Sequence, residues 1–214
     1  MTSLLTPEQG AAVRAAVERA EAASGAEIVP VVVPASDGYE AALWKGAALG
    51  SLAGAVAAAL AVWWRAPWVP QAYGTLVPVA VGLLAGMLLA RLPTVRRLLV
   101  GRAALDEGVS RGAAEAFLEH EVFRTRDRTG LLIYVSLFER EVRILADSGI
   151  HPSVPPDEWG ALARAVAAEM ARNPPGEALL AAVTRAGGLF AARGPERRAD
   201  DVNELPDAPV ERRP

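Results

Sequence analysis

Two long stretches without a charged residue occupy the middle of the chain. They cover residues 46–63 and 73–90 and consist largely of Ala, Leu, Val and Gly. Crossing a bilayer takes roughly 20 apolar residues, so each stretch is long enough to span a membrane as a helix. The segment 64–72 between them has room for a short turn. The pattern therefore predicts two transmembrane helices, at 43–63 and 73–92.

Aromatic and glycine positions favour the same interpretation. The turn is surrounded by aromatic residues of the kind found at membrane–water interfaces, namely Trp63, Trp64, Trp68 and Tyr73. Glycines recur at every fourth position, at Gly46, Gly50 and Gly54 in the first stretch and at Gly82 and Gly86 in the second. Such spacing lets two helix backbones approach closely. The alternative is a buried helical hairpin in a soluble protein, but two uncharged spans are difficult to cover with 214 residues.

Positive charges around the hairpin predict its orientation, because Lys and Arg accumulate on the cytoplasmic side of membrane helices. The basic residues on the side of the termini are Lys45, Arg91, Arg96, Arg97 and Arg102, whereas the turn contains Arg65 alone. The N-terminus lacks the basic and apolar regions of a signal peptide. We therefore expect a protein of the bacterial inner membrane, embedded in the lipid bilayer, with both termini in the cytoplasm and residues 64–72 in the periplasm.

The chain before the hairpin contains one helix and one strand. Thr6, Pro7 and Gln9 form the pattern of a helix N-terminus with a capping box. Residues 27–33 are rich in β-branched side chains and predict a strand. Pro30 within this strand indicates an edge position or an irregular start. One helix and one strand cannot bury a core, so their partners must follow the hairpin.

The chain after the hairpin supplies these partners. Helices are predicted at 105–121, 156–171 and 175–192, and strands at 131–136 and 141–146. An antiparallel register that pairs Leu131 with Ala146 also pairs Ile133 with Ile144. This register directs one wholly apolar face toward a core and leaves the other face half-covered.

The order of these elements predicts the fold class. A crossover from the first strand to the second through the hairpin gives a parallel pair, and the third strand returns antiparallel. We thus predict an α/β fold, a small mixed β-sheet with helices on both faces, interrupted by a two-helix transmembrane hairpin. One discontinuous cytoplasmic domain comprises 1–42 and 103–193. The charged, Pro-rich residues 194–214 are expected to form a flexible tail.

Composition excludes several classes of function. The formal net charge of −3 gives no concentrated basic surface of the kind that nucleic-acid binding requires. The sequence contains no cysteine, which excludes disulfides, zinc–thiolate sites and thiol catalysis.

The predicted topology brings three carboxylates to one edge of the sheet. Glu27 starts the first strand, Asp127 lies in the turn before the second, and Asp147 follows the third. Carboxylate oxygens are the ligands that Ca²⁺ and Mg²⁺ prefer, so these residues are candidate metal ligands. The alternative is structural: Asp127 and Asp147 cap turns, and Glu27 pairs with Arg126 or Arg128.

Other catalytic arrangements are poorly represented. His120 and His151 lack any metal-ligand spacing. Ser136 ends a strand without the glycine-flanked turn of a hydrolase nucleophile. The sequence also lacks a phosphate-binding glycine loop followed by Lys and Ser or Thr.

Four segments carry a family resemblance. Residues 124–137 and 139–150 read RTRDRTGLLIYVSL and EREVRILADSGI, residues 24–29 read SGAEIV, and residues 200–207 read DDVNELPD. In their order along the chain, these segments resemble those of TPM-domain proteins, in particular the bacterial branch with an internal transmembrane hairpin. Secreted relatives carry an Asp-Asn-Gly-like turn before the second strand. This chain has Arg128, Thr129 and Gly130 there, so a basic residue replaces an acidic one.

The resemblance implies two functions. Members of the branch are encoded beside LemA-type membrane proteins, which implies a membrane-anchored, non-enzymatic module that binds such a partner in envelope or membrane-protein maintenance. Plant chloroplast members are linked to acid phosphatase activity, and some bacterial relatives bind Ca²⁺ or Mg²⁺, which implies a divalent-metal-dependent phosphatase acting on phosphomonoesters as the alternative.

Overall fold

The computed structural model describes residues 3–64, 71–150, 154–170, 172–200 and 202–211. The chain divides into two compact units. The first, which we call the α/β unit, combines Met1–Asp37 with Asp106–Pro214. The second, the hairpin unit, is Gly38–Leu105 and is inserted into the first along the chain.

The described elements follow in chain order. They are α1 (Pro7–Ala22), β1 (Glu27–Val33), α2 (Glu40–Trp63), α3 (Gln71–Leu89), α4 (Pro93–Val100), α5 (Arg102–Glu119), β2 (Gly130–Ser136), β3 (Glu141–Ala146), α6 (Pro156–Met170), α7 (Pro175–Arg193) and β4 (Val210–Glu211).

A four-stranded mixed sheet with the order β3-β2-β1-β4 forms the centre of the α/β unit. Strand β1 pairs in parallel with β2 over its whole length, from Glu27 opposite Gly130 to Val33 opposite Ser136. Strand β3 runs antiparallel to β2. The register predicted for this hairpin is confirmed, because Leu131 lies opposite Ala146. The predicted α/β class with a mixed sheet is confirmed as well.

Helices cover the sheet on both faces. On one face, Val17 of α1 and Val183 of α7 pack in a core with Ile133 of β2. On the other, Val109 of α5 packs in a second core with Tyr134 of β2. Strand β2 is therefore buried along its whole length. The sequence predicted that the second face of both β2 and β3 is half-covered. This prediction is wrong for β2, because α5 covers it, and β3 alone is partly exposed.

Local sequence signals account for the start of α1. The Thr6 hydroxyl accepts a hydrogen bond from the Gln9 N–H at 3.2 Å, and the Gln9 side chain accepts one from the Thr6 N–H at 2.9 Å. Pro7 occupies the first helical position, where its missing N–H has no cost. The predicted capping box is confirmed.

The segment after α7 adds a strand that the hydrophobic pattern does not predict. Strand β4 pairs in parallel with Val31 and Val32 of β1. Before it, Leu205 is buried in the core beside α5. The Glu211 carboxylate accepts hydrogen bonds from the backbone N–H groups of Leu4 and Leu5 at 2.9 and 3.1 Å. A strand of two paired residues is too short to leave a periodic signal in the sequence. The contacts of Glu211 with the backbone of Leu4 and Leu5 help to hold this segment in place.

Glycines bring α2 and α3 together within the hairpin unit. A Cβ atom on Gly50 would overlap the Gly82 carbonyl, and one on Gly46 would overlap the Gly86 carbonyl. Close backbone approach therefore requires glycine at these positions, as the four-residue spacing predicts.

One helix of the hairpin unit, α2, is long and apolar enough by itself to cross a membrane. Residues Tyr73–Leu89 and α4 pass the same test together as a pair bent by 99°. Pro93 begins α4 after this bend, so a separate short helix follows the second apolar stretch. The second predicted span ends at residue 92, and the sequence pattern assigned no element to the residues of α4.

Candidate functional site

The three candidate carboxylates lie at one edge of the sheet. Glu27 is the first residue of β1 and pairs with Gly130, the first residue of β2. Asp147 follows Ala146, which pairs with Leu131 beside Gly130. Asp127 lies in the turn that leads into β2. Strand register therefore places all three residues where the topology predicts, and each has its own set of partners.

Asp147 is 6 % exposed and lies against an arginine. Its Oδ2 atom is 3.0 Å from Nε of Arg128, and its Oδ1 atom accepts the Ser148 N–H at 2.6 Å. The Arg128 guanidinium also donates to the Phe123 carbonyl at 3.0 Å and lies 5.8 Å from the centre of the Phe123 ring. The buried negative charge is thus neutralised by a positioned cation.

Asp127 also pairs with a basic side chain, since it forms an ion pair with Arg198. In the same group, Asp200 lies 3.0 Å from Nη1 of Arg126. Hydrogen bonding to Arg126 and its positive charge lower the pKa of Asp200, and the same pair raises the pKa of Arg126. These groups are solvent-exposed, so the pair fixes the position of the chain after α7 more than it stabilises the fold.

Glu27 holds the segment after α7 against the sheet. Its two carboxylate oxygens accept the backbone N–H groups of Glu204 and Leu205, each at 3.3 Å. The Glu204 carboxylate in turn accepts the Arg126 N–H at 2.9 Å. Glu27 therefore has the role of a backbone cap for residues 204 and 205.

A further carboxyl group, Glu21 at the end of α1, was missed by the sequence analysis. Burial is the main cause that raises the pKa of Glu21 to about 8, and the charges of Glu27 and Asp207 add to it. Its Oε1 atom accepts the Ile28 N–H of β1 at 2.8 Å. Glu21 borders a small cavity of about 140 Å³ whose lining includes Glu27, Arg197 and Asp207. In the sequence, Glu21 resembles any polar residue in the last turn of a helix, so no signal marked it.

These contacts bear on the predicted metal site. Among the residues that the structure describes, no group of three or more His, Asp or Glu side chains is arranged to hold a metal ion. The carboxylates of Asp147 and Asp127 face arginines, and that of Glu27 faces backbone N–H groups. This arrangement does not fit a divalent cation. Binding of Ca²⁺ or Mg²⁺ stays a prediction that requires a binding experiment.

A buried hydroxyl–carboxylate cluster lies at the other end of β2. The Ser136 hydroxyl is fully buried and donates to the Glu139 carboxylate, and the Ser36 hydroxyl donates to Ser136 at 2.9 Å. The Ser36 N–H donates to Glu139 at 2.9 Å, which ties the chain after β1 to the turn after β2. Because the Ser136 hydroxyl is inaccessible to a substrate, it is not placed to act as a nucleophile. The cluster instead holds the chain after β1 against the turn after β2.

The α/β unit also has an open groove of about 460 Å³. Its lining combines Val29, Leu205, Pro206 and Val210 with the charged or polar residues Glu119, His120, Glu121, Arg124 and Glu204. The groove therefore has an apolar floor and a rim of mixed charge, a composition suited to a peptide or protein surface. The second histidine, His151, lies outside the described residues.

Comparison with known proteins now identifies the domain. The family model of the TPM domain matches residues 94–189. This part of the chain is therefore similar to the TPM domain. A solved structure, the BA42 protein from the psychrophilic bacterium Bizionia argentinensis, is similar in fold, with 18 % identity, a TM-score of 0.59, and coverage of 99 % of this chain and 97 % of that one. A comparison with curated proteins gives no match.

The matched segment contains α5, β2, β3 and α6 and most of α7. Strand β1 lies before the matched segment and β4 lies after it, yet both belong to the same sheet as β2 and β3. The TPM domain of this protein therefore depends on chain segments from both sides of the family match.

Proposed function

We propose that this protein is a membrane-anchored TPM-domain protein of the bacterial inner membrane, with both termini in the cytoplasm. In this proposal, the helices predicted at 43–63 and 73–92 form the anchor. The TPM domain binds a protein partner in envelope or membrane-protein maintenance and has no catalytic role.

Exposed apolar surface on the hairpin unit supports the anchor and carries the proposal. Trp63 is 76 % exposed and Trp64 is 84 % exposed. Other large apolar side chains of α2 and α3 are exposed too, among them Leu49, Leu52, Leu60, Leu76, Leu84 and Leu88. Only 22 % of the most apolar stretch of α2 is buried, whereas the core helix of a soluble protein is mostly buried. Surface of this kind is favourable in lipid and costly in water.

The absence of cysteine from the sequence permits a direct topology experiment. Single cysteines replace Ser3 and, separately, Trp64, and intact cells are treated with a membrane-impermeant maleimide. We expect Trp64→Cys to be labelled and Ser3→Cys to be labelled only after the cells are permeabilised. Labelling of Ser3→Cys but not Trp64→Cys in intact cells would show the reverse orientation, and a chain found in the soluble fraction would refute the anchor.

The contacts of the reactive side chains support a binding role for the TPM domain. Ser136 is buried, and Asp127 and Asp147 are paired with arginines. The groove beside β1 offers an apolar floor and a charged rim that includes the Arg124–Glu121 ion pair. We assign the partner to this groove, and the family resemblance indicates a LemA-type membrane protein as that partner.

Site-specific crosslinking tests the partner assignment. A photoreactive phenylalanine analogue replaces Glu119, which is exposed at the groove, and a matched control replaces Arg14 on the exposed face of α1. The expected result is a crosslink between the Glu119 variant and the LemA-type protein, absent from the Arg14 variant. Equal crosslinking at both positions, or crosslinking to neither, would contradict the assignment.

The alternative, a metal-dependent phosphatase acting on phosphomonoesters, remains a prediction of the family resemblance. No described contact favours it over the binding role. Purified protein assayed for phosphomonoester hydrolysis with Ca²⁺ or Mg²⁺ distinguishes the two, since a binding module is inactive under both conditions.

A further inference from the structure

We propose that the guanidinium of Arg128 is a built-in cation that takes the place of a divalent metal ion at the edge of the sheet. The family resemblance implies an acidic residue in this turn, and this chain has Arg128 there instead. The inference concerns the α/β unit and is independent of the membrane anchor.

Burial and charge at Asp147 carry the first step. A carboxylate that is 6 % exposed needs a positive partner or several hydrogen-bond donors. Asp147 has the positive partner, since the Arg128 Nε atom lies 3.0 Å from Oδ2, and the Ser148 N–H donates to Oδ1, while Oδ2 itself accepts no hydrogen bond from the described residues. Arginine stays protonated at any physiological pH, so this positive charge is permanent.

Backbone geometry carries the second step, because the guanidinium is held in position by the turn itself. Arg128 has a φ of 59°, a left-handed conformation that is uncommon for a residue with a side chain. The Arg128 carbonyl accepts the Gly149 N–H at 2.9 Å, and the Gly130 carbonyl accepts the Asp147 N–H at 2.9 Å. A Cβ atom on Gly149 would overlap the Asp127 carbonyl, so the two loops are in close contact.

Electrostatic competition carries the third step. A divalent ion that approached Asp147 would meet the positive charge of the Arg128 guanidinium, which lies 3.0 Å from Oδ2 and repels it. The second candidate ligand, Asp127, is paired in the same way with Arg198. Two arginines therefore supply the charge that a metal ion would supply, and the edge keeps its loop geometry without one.

Removal of the cation should convert the edge into a metal site. The test uses the full chain purified in detergent, with Ca²⁺ binding measured by calorimetry and thermal unfolding followed with and without millimolar Ca²⁺. We expect no Ca²⁺ binding by the wild type. Arg128→Asn should lower the Tm without metal, show Ca²⁺ binding in the calorimeter, and regain Tm when millimolar Ca²⁺ is added. Asparagine tolerates the positive φ and adds an oxygen ligand.

Three further variants make the result interpretable. Arg124→Asn removes an exposed arginine of the same segment, paired with Glu121, and should leave both Tm and Ca²⁺ binding unchanged. Arg128→Asn combined with Asp147→Asn should lose the acquired Ca²⁺ response. Arg128→Gly, which also suits a positive φ, replaces Arg128→Asn if that variant does not fold. Ca²⁺ binding by the wild type, or Arg128 variants that fold and still do not bind Ca²⁺, would overturn the proposal.

Discussion

Glu21 at the end of α1 and Asp207 in the segment that leads into β4 line the same small cavity. The Oε1 atom of Glu21 also accepts the Ile28 N–H, so the same side chain satisfies an edge donor of β1. Burial and two neighbouring negative charges raise the pKa of Glu21 to about 8, which keeps the proton in place at neutral pH.

The raised pKa of Glu21 predicts a pH dependence of stability. The pKa of Glu21 is about 8 in the folded chain against an ordinary value of 4.5, so the folded state holds this proton over a range in which the unfolded state has lost it. The stability linked to this proton is fully present below pH 4.5, and the free energy of unfolding should fall as pH rises from 4.5 to 8. Urea unfolding of the wild type and Glu21→Gln across this range checks the prediction.

Glutamine at position 21 keeps a hydrogen-bonding side chain and cannot ionise. Glu21→Gln should show a flatter stability profile between pH 5 and 8 than the wild type, with the two profiles closest at the acidic end. Glu18→Gln, one turn earlier and bordering the same cavity, is the matched control. Parallel profiles for Glu21→Gln and the wild type would show that Glu21 does not hold a proton at neutral pH.

The segment after α7 should contribute to stability through Leu205. This side chain is 8 % exposed and packs with Val29 and Tyr134. Leu205→Ala should lower the free energy of unfolding by about 2–3 kcal/mol, the lower part of the range for buried leucines. Val202→Ala, at a position that is 71 % exposed, should change it by less than about 0.5 kcal/mol. Equal effects of the two substitutions in chemical denaturation would mean that this segment is not packed on the core.

The contrast between the central strands and this last segment shows how far the sequence predicts the fold. Strands β2 and β3 share one wholly apolar face, and a slip of one residue in β3 would break it up, so the β2–β3 register follows from the pattern. Strand β4 has two paired residues, and its position depends on Glu27 and Glu211 accepting backbone N–H groups far away in sequence. Contacts of this kind leave no periodic trace.

The candidate site divides in the same way. Its location followed from topology, because strand order alone places Glu27, Asp127 and Asp147 at one edge. Its chemistry did not, since the partners of these residues, Arg198 and residues 204 and 205, come from a part of the chain without a hydrophobic period that would predict its position. The pairing of Arg128 with Asp147 was hinted at only by a basic residue in a turn where the family resemblance implies an acidic one.

Glycine at the crossing of α2 and α3 should be essential for the packing of the hairpin. Gly50→Leu places a side chain where a Cβ atom alone would overlap the Gly82 carbonyl, so the helices must separate. Ala55→Leu, on an exposed position of the same helix, is the control. In detergent, Gly50→Leu should lower the temperature at which the fluorescence of Trp63 and Trp64 changes, whereas Ala55→Leu should not. An unchanged transition in Gly50→Leu would mean that the crossing does not hold the hairpin together.

The α/β unit should fold without the hairpin unit, provided that both of its segments are present. Strand β1 lies before the insertion and pairs with β2 over its whole length. Every residue of β2 is buried, so loss of β1 would expose apolar side chains and unpaired backbone groups of β2. The ends of the insertion are close within the unit, because Asp37 forms an ion pair with Arg111, five residues after Asp106 on α5. Five helical residues span about 7.5 Å, so a short Gly-Ser linker can join Asp37 to Asp106.

Three chains test this prediction by circular dichroism and the dispersion of amide resonances. The linked chain, in which the linker replaces 38–105, should unfold cooperatively. The fragment 106–214 should not, since burying β2 on one side requires β1, and an unpaired buried strand leaves a full row of backbone groups unsatisfied. Adding the peptide 3–37 to that fragment should restore the folded signal, because the peptide supplies α1 and β1. A fragment 106–214 that folds alone would show that β1 is dispensable and that the domain does not need the chain before the insertion.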